Sequence, residues 1–211
     1  WGLKQSSFSE ISAYVCDISG HGVASAANAL RVHGHINEAI KSLQYPEYFA
    51  KKINKKINNI MQPGQFAAMF FSIINFETNK LNCCNCGLPY PILVKNNGES
   101  GILKIKGTPL GATAESTFEP HSFDFNKGDK LIVYTDALIE TPNENGAFLN
   151  EEDICEHLKN TEKMSSEETL NHIYNQFKGH ISDFTPEDDL TITVITNNGK
   201  EQKAENKAYE I

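Results

Sequence analysis

Glu10-Ile11-Ser12-Ala13-Tyr14-Val15-Cys16-Asp17-Ile18-Ser19-Gly20-His21-Gly22 is the stretch on which the fold turns. Residues 10–18 are rich in apolar strand formers, so they read as a buried strand that ends at Ser19-Gly20. Helical spacing takes over at once: Val23, Ala26, Ala27, Leu30, Ile36, Ile40 and Leu43 fall near a 3.6-residue period. A second helix is expected from about Pro46, a residue suited to a first turn. Phe49, Ile53, Ile57 and Ile60 form its apolar stripe, and Lys51, Lys52, Lys55 and Lys56 form its solvated face.

Downstream the pattern changes to strands. Phe66–Phe76 is almost continuously apolar, which predicts burial on both faces. Thr78-Asn79 reads as a hairpin turn and Lys80–Cys86 as the return strand. Pro91–Lys95 is a further strand, closed by the turn Asn96-Asn97-Gly98. Ile102–Ile105 is a short strand, Gly107–Gly111 a tight loop, and Phe118 to Phe125 alternates weakly. Lys130–Thr135 is entered from the turn Lys127-Gly128-Asp129. Helices follow over about 150–159 and from Ser165, whose partner Glu168 completes a capping box. Leu190–Thr196 is the last strand, and residues 197–211 read as a polar, frayed tail. Strand, two helices, a run of antiparallel strands, two helices, strand: this order predicts an α+β domain of two antiparallel sheets packed face to face with helices outside.

Composition narrows the function classes. The 211 residues hold 39% hydrophobic and 22% charged residues, as in an ordinary globular domain. No apolar run is long enough to span a bilayer, and no secretory leader is visible at Trp1-Gly2-Leu3-Lys4. Position 1 is not Met, so an excised segment of a longer protein is expected. The net charge of −8 with dispersed acids argues against a nucleic-acid partner. Five cysteines, Cys16, Cys83, Cys84, Cys86 and Cys155, are odd in number and irregular in spacing, which suggests reduced thiols in the cytoplasm.

Acids sit where strands end: Asp17 after the first, Asp136 after Lys130–Thr135, and Asp188 and Asp189 before the last. Carboxylates at strand ends can converge, and would then repel one another unless a cation held them. An all-oxygen set suits Mg²⁺ or Mn²⁺. Asp is also common at strand ends for local hydrogen-bonding reasons, so spacing alone does not decide.

Asp17-Ile18-Ser19-Gly20-His21-Gly22-Val23-Ala24-Ser25-Ala26 resembles the Asp-Val-Ser-Gly-His-Gly segment of type 2C (PPM) protein phosphatases, in their SpoIIE-like bacterial regulatory branch. Four more segments match in order. Phe66-Ala67-Ala68-Met69-Phe70 looks like that branch's Phe-Ala-Thr-Met-Phe strand, and Gly107-Thr108-Pro109-Leu110-Gly111 like its Gly-x-Pro-Leu-Gly loop. Gly128-Asp129 with Tyr134-Thr135-Asp136-Ala137-Leu138-Ile139-Glu140 resembles its Gly-Asp…Tyr-Thr-Asp-Gly-x-x-Glu motif, and Asp188-Asp189-Leu190-Thr191 its closing Asp-Asp-x-Thr.

The resemblance implies a four-layer α/β/β/α sandwich over residues 1–196, truncated at its N-terminus. It also implies two Mn²⁺ or Mg²⁺ ions held by Asp17, the Ile18 carbonyl, Asp136 and Asp188, with Asp189 ranked lower. Hydrolysis would go by direct attack of a water held by the ions on phosphorus. His21 is a candidate general acid; the plainer reading is a helix-start residue. The implied substrate is phosphoserine or phosphothreonine on a regulatory protein such as an anti-sigma-factor antagonist. The implied partners are an upstream sensory or receiver domain, suggested by Asn28–His33, and a second copy in a homodimer.

Three departures stand out. The family's upstream Gly-Gly-Asp motif is absent before Asp17, Ala137 replaces a Gly, and Gly87-Leu88 stands for Gly-His. The first departure makes a catalytically impaired binding module the alternative. His33 and His35 read as ordinary helix residues. A zinc site on Cys83, Cys84 and Cys86 is disfavoured, because adjacent strand residues point to opposite faces and no fourth ligand is evident.

Overall fold

A computed structural model describes residues 1–20, 22–40, 45–62, 64–182, 186, 188–199 and 206–210. In chain order the elements are β1 Gly2–Ser7, β2 Glu10–Ile18, α1 Val23–Ala39, α2 Pro46–Asn58, β3 Ala67–Asn75, β4 Lys80–Cys86, β5 Ile92–Val94, β6 Ser100–Ile102, β7 His121–Asp124, β8 Lys130–Tyr134, α3 Ala137–Glu140, α4 Glu151–His157, α5 Ser166–Ile181, β9 Thr191–Thr196 and β10 Asn206–Glu210. They fall into two compact units, Trp1–Leu88 with Ile105–Asp124, and Pro89–Lys104 with Phe125–Ile211. Each holds one five-stranded antiparallel sheet and its own helices, so the α+β class with two antiparallel sheets is borne out.

In the first unit the strand order is β1-β2-β3-β4-β7. β3 is buried along nearly its whole length, as its unbroken apolar sequence requires. One face of this sheet carries Tyr14, Met69, Phe71, Ile73, Cys84 and Cys86. α2 packs Phe49, Ile53 and Ile57 into the same core, and Phe49 stacks on Phe71 with ring centroids 3.8 Å apart. α2 starts with Pro46 in its first turn and places Glu47 there and Lys55 and Lys56 in its last, in line with the helix dipole.

α1 corrects the periodicity reading. Val32, Ile36, Ala39 and Ile40 face the core, whereas Val23 and Leu30 are 89% and 75% exposed. At 100° per residue, Val23, Ala26, Ala27 and Leu30 share the face opposite to Val32 and Ile36, so the sequence stripe had merged two faces. Leu43 lies outside the described residues.

In the second unit the order is β10-β9-β8-β5-β6. α4 and α5 cover one face, packing Ile154, Leu158, Leu170, Ile173, Phe177 and Ile181 on Ile92, Val94, Ile132, Tyr134, Ile192 and Val194. The Ser165–Glu168 capping box forms as expected, and Asn150 with Asp153 makes a second at α4.

Three more expectations are corrected. The chain has a strand before residue 10: β1, which pairs with β2 from Gly2↔Tyr14 to Ser7↔Glu10. The short strand near 102 is Ser100–Ile102, because Gly101 and Ser100 pair with Leu93 and Val94, while Leu103 and Ile105 are buried outside the ladder. The tail is not frayed throughout: Asn206–Glu210 pairs with β9 as an edge strand, a bond set that main-chain groups supply without an apolar pattern.

Candidate metal centre

β2 carries Asp17 and Ile18 to its end, where they pair with Ala68 and Ala67 of β3. Beyond the ladder the grip continues through Ser19. Its N–H donates to the Phe66 carbonyl at 3.0 Å, and its Oγ accepts the Phe66 N–H at 2.8 Å. The chain then leaves through Gly20 (φ 90°) and Gly22 (φ 86°), conformations that glycine adopts without steric cost. Asp17 is half-buried, and its Oδ1 accepts the Ile18 N–H at 3.0 Å. His21, the candidate general acid, lies outside the described residues. The Gly107–Gly111 loop reaches the same strand end: Leu110 and Ala67 exchange both main-chain hydrogen bonds at 2.8 Å.

In the second unit β8 delivers Asp136, which caps α3, and the chain entering β9 delivers Asp188 and Asp189. Asp136 and Asp188 come together, each offering a carboxylate oxygen within 4.8 Å of the other. Burial, and then the Asp188 charge, push the Asp136 carboxyl above the usual carboxylate range, opposed by the Ala137 amide and its own. Asp188 is exposed, and its Oδ1 accepts the Asp189 N–H at 2.8 Å. The Asp189 carbonyl accepts the Thr135 hydroxyl at 3.1 Å. Two carboxylates held together, one of them raised by burial and by its neighbour's charge, form a donor set that a hard divalent cation fits: the ion removes the repulsion and takes oxygen ligands.

Sequence reasoning passed over Ser19 and Thr135, the hydroxyls that fasten these strand ends. Their only signal is position, one residue from Ile18 and one from Asp136. The cysteines match the thiol reading: all five are free, and Cys83, Cys84 and Cys86 are buried. Burial pushes the Cys83 thiol well above its ordinary range, so it is a poor nucleophile.

Two antiparallel sheets with their helices match the architecture of PP2C phosphatase domains. The fold matches the PP2C phosphatase domain of the cell-fate determinant SpoIIE from Bacillus subtilis with a TM-score of 0.79, at 17% identity, over 92% of this chain and 57% of that one. It matches RsbX, solved in complex with magnesium, with a TM-score of 0.66, at 22% identity, over 91% of this chain and 82% of that one. The family model for stage II sporulation protein E (SpoIIE) matches residues 9–198, and the chain belongs to that family. Among curated proteins it is 22% identical over 186 residues to the phosphoserine phosphatase RsbU of Bacillus subtilis (strain 168), covering 88% of this chain and 55% of RsbU. The chain thus spans about half the length of that relative. PP2C-type phosphatases are metal-dependent. No helix among the described residues is long and apolar enough to cross a membrane.

Proposed function

We propose that residues 1–196 act as the catalytic domain of a metal-dependent phosphatase that cleaves phosphoserine or phosphothreonine on a bacterial regulatory protein, such as an anti-sigma-factor antagonist. The observation that carries the reading is the Asp136–Asp188 pair at the ends of β8 and β9 in a chain of the SpoIIE family. The family resemblance adds Asp17 and the Ile18 carbonyl as further ligands in this reading, with Asp189 ranked below them. Two Mn²⁺ or Mg²⁺ ions would supply charge screening and an activated water for attack on a phosphate monoester.

The chain's own part is to present oxygens at fixed places. The ends of β2 and β8 are held by ladder hydrogen bonds to β3 and β9, an arrangement that lowers the reorganisation their carboxylates would need as charge develops on the phosphate. His21, next to the Asp17 segment, is the candidate donor of a proton to the leaving serine oxygen. RsbU and RsbP are named phosphoserine phosphatases, which supports the substrate class. The same reading places the reaction in the cytoplasm, with a sensory domain joined to this one and with self-association to a homodimer.

The test is hydrolysis of a phosphoserine peptide and of p-nitrophenyl phosphate against Mn²⁺ concentration. The chain shown is compared with an N-terminally extended one and with its Asp17→Asn, Asp136→Asn and Asp188→Asn variants. Metal-dependent turnover lost by at least about 100-fold in each variant supports the proposal. An extended chain that turns over neither substrate, or variants that match it, overturns it in favour of a binding module.

A further inference from the structure

The register of β8 and β9 contains one substitution of side chain for main chain. Tyr134 pairs with Ile192, so Thr135 and Thr191 are next in the ladder. The Thr135 N–H donates to the Thr191 carbonyl at 3.0 Å, as an antiparallel pair requires. The return bond does not go to the Thr135 carbonyl. That carbonyl has turned to accept the Leu138 N–H at 3.2 Å and open α3. The Thr191 N–H goes instead to Thr135 Oγ1 at 2.9 Å, and the same hydroxyl donates to the Asp189 carbonyl at 3.1 Å. Thr135 is 2% exposed, so water does not replace these bonds.

The hydroxyl therefore stands where the ladder would otherwise end. One atom on the residue before Asp136 grips both sides of Leu190, on the segment that begins with Asp188. Leu190 is itself buried in the core of the unit, which anchors the far side of the turn. Without the hydroxyl, the Thr135 N–H still holds the Thr191 carbonyl, but the bond from Thr135 to the Asp189 carbonyl is lost.

We propose that Thr135 is a positioning residue for the metal centre: its hydroxyl sets the separation of the Asp136 and Asp188 carboxylates by fastening the Asp189 carbonyl and the Thr191 amide. The proposal rests on the reading of Asp136 and Asp188 as ligands. It concerns ion affinity and does not require Thr135 to touch ion or substrate.

The experiment is Mn²⁺ titration of the full chain, followed by the electron paramagnetic resonance of the free ion, with thermal melting of the metal-free protein in parallel. Thr135→Val keeps the shape and removes the hydroxyl, and Thr135→Ala does so without a second methyl. Thr135→Ser restores the hydroxyl. Thr193→Val is the structural control, since Thr193 Oγ1 also bonds β8, at the Val133 carbonyl, 3.1 Å away and two residues up the same strand. Outer-shell partners of metal ligands typically affect affinity by about 10–100-fold. We expect Thr135→Val and Thr135→Ala to weaken Mn²⁺ binding at least about tenfold, with Thr135→Ser within about threefold of the parent. Thr193→Val lowers the melting temperature and leaves affinity unchanged. A Thr135→Val or Thr135→Ala protein that binds Mn²⁺ like the parent overturns the proposal, as does a Thr193→Val protein that loses affinity equally. Asp136→Asn separates the two readings: if it binds Mn²⁺ as tightly as the parent, or the parent binds none, the ligand assignment fails and the role of Thr135 fails with it.

Discussion

The Asn54 side-chain oxygen accepts the Gly111 N–H at 2.8 Å, tying α2 to the end of the loop that bridges to β3. Asn54 is 1% exposed, and its Nδ2 also donates to the Thr113 carbonyl at 2.9 Å. A buried carboxamide in an otherwise apolar helix stripe is tolerated because its polar atoms are matched. Asn54→Leu leaves the Gly111 N–H without its acceptor, while the Thr113 carbonyl keeps the Ser116 hydroxyl at 3.1 Å, and one unmatched buried group costs about 1–3 kcal/mol. The expected loss is therefore about 1–3 kcal/mol in urea unfolding. A variant with an unchanged midpoint would show that the loop holds itself.

Gly107 meets the main chain of β4 more closely than any side chain allows. A Cβ added there would lie 1.6 Å from the Asn85 carbonyl oxygen. That neighbour is backbone, further fixed because Asn85 Nδ2 donates to the Leu88 and Ile105 carbonyls at 2.9 and 3.0 Å. Gly107→Ala is expected to cost about 3 kcal/mol or more, because the loop must leave its seat. Gly101→Ala is the contrast: no atom lies within 4 Å of its Cβ, so the change should fall within about 0.5 kcal/mol of neutral. Melting of the two variants side by side decides it, and equal melting temperatures would refute the space argument.

What could be read from residues alone follows from where the free energy lies. β2, β4 and the start of α2 were legible to the residue, because burial and Pro46 mark them in sequence. β1 and β10 were not: main-chain hydrogen bonds hold these sheet edges, and Gly2-Leu3-Lys4-Gln5-Ser6-Ser7 carries almost no apolar alternation. α3 spans four residues, too few for a period to appear. The acids of the site were visible as strand-end residues, but the meeting of Asp136 with Asp188 depends on β8 lying beside β9, a neighbour choice no local pattern encodes. The double role of the Thr135 hydroxyl was hidden for the same reason. It exists only once the register is fixed.

Asp129 is a fully buried carboxylate whose partners are all donors. Lys95 Nζ lies 3.0 Å from one oxygen, which also accepts the Asn126 N–H at 2.8 Å, and the Asn96 N–H reaches the other at 2.9 Å. Removing the acid takes the acceptor from the Asn126 and Asn96 amides and breaks the Lys95 ion pair. Asp129→Ala should cost about 3–5 kcal/mol. Asp129→Asn should cost nearly as much, since its NH₂ then faces another donor. Lys95→Met removes a partly exposed cation and leaves both amide bonds, so about 1 kcal/mol is expected. Denaturant midpoints of the three variants check the order. Lys95→Met as costly as Asp129→Ala would mean that the ion pair, rather than the amides, carries the turn.

Glu168 gives the fold a pH dependence with a definite sign. Its Oε2 accepts the Ser165 N–H at 2.7 Å, and this main-chain bond, followed by the Ser165 side chain, holds the carboxyl below the usual glutamate range. A carboxyl whose pKa is lower folded than unfolded stabilises the protein above the unfolded value, and that contribution disappears as the pH falls through the folded one. The charge also faces the first turn of α5, where the helix dipole favours an anion. Glu168→Gln keeps an acceptor for the Ser165 amide and removes the charge. The parent should therefore melt above Glu168→Gln at neutral pH, and the gap should narrow as the pH falls through about 4.3, where an unfolded glutamate is half protonated, and on through the lower folded value. It should also shrink in high salt, since the group is exposed. A gap that stays constant down to the acid limit would assign the difference to side-chain packing instead of to the charge on the capping box.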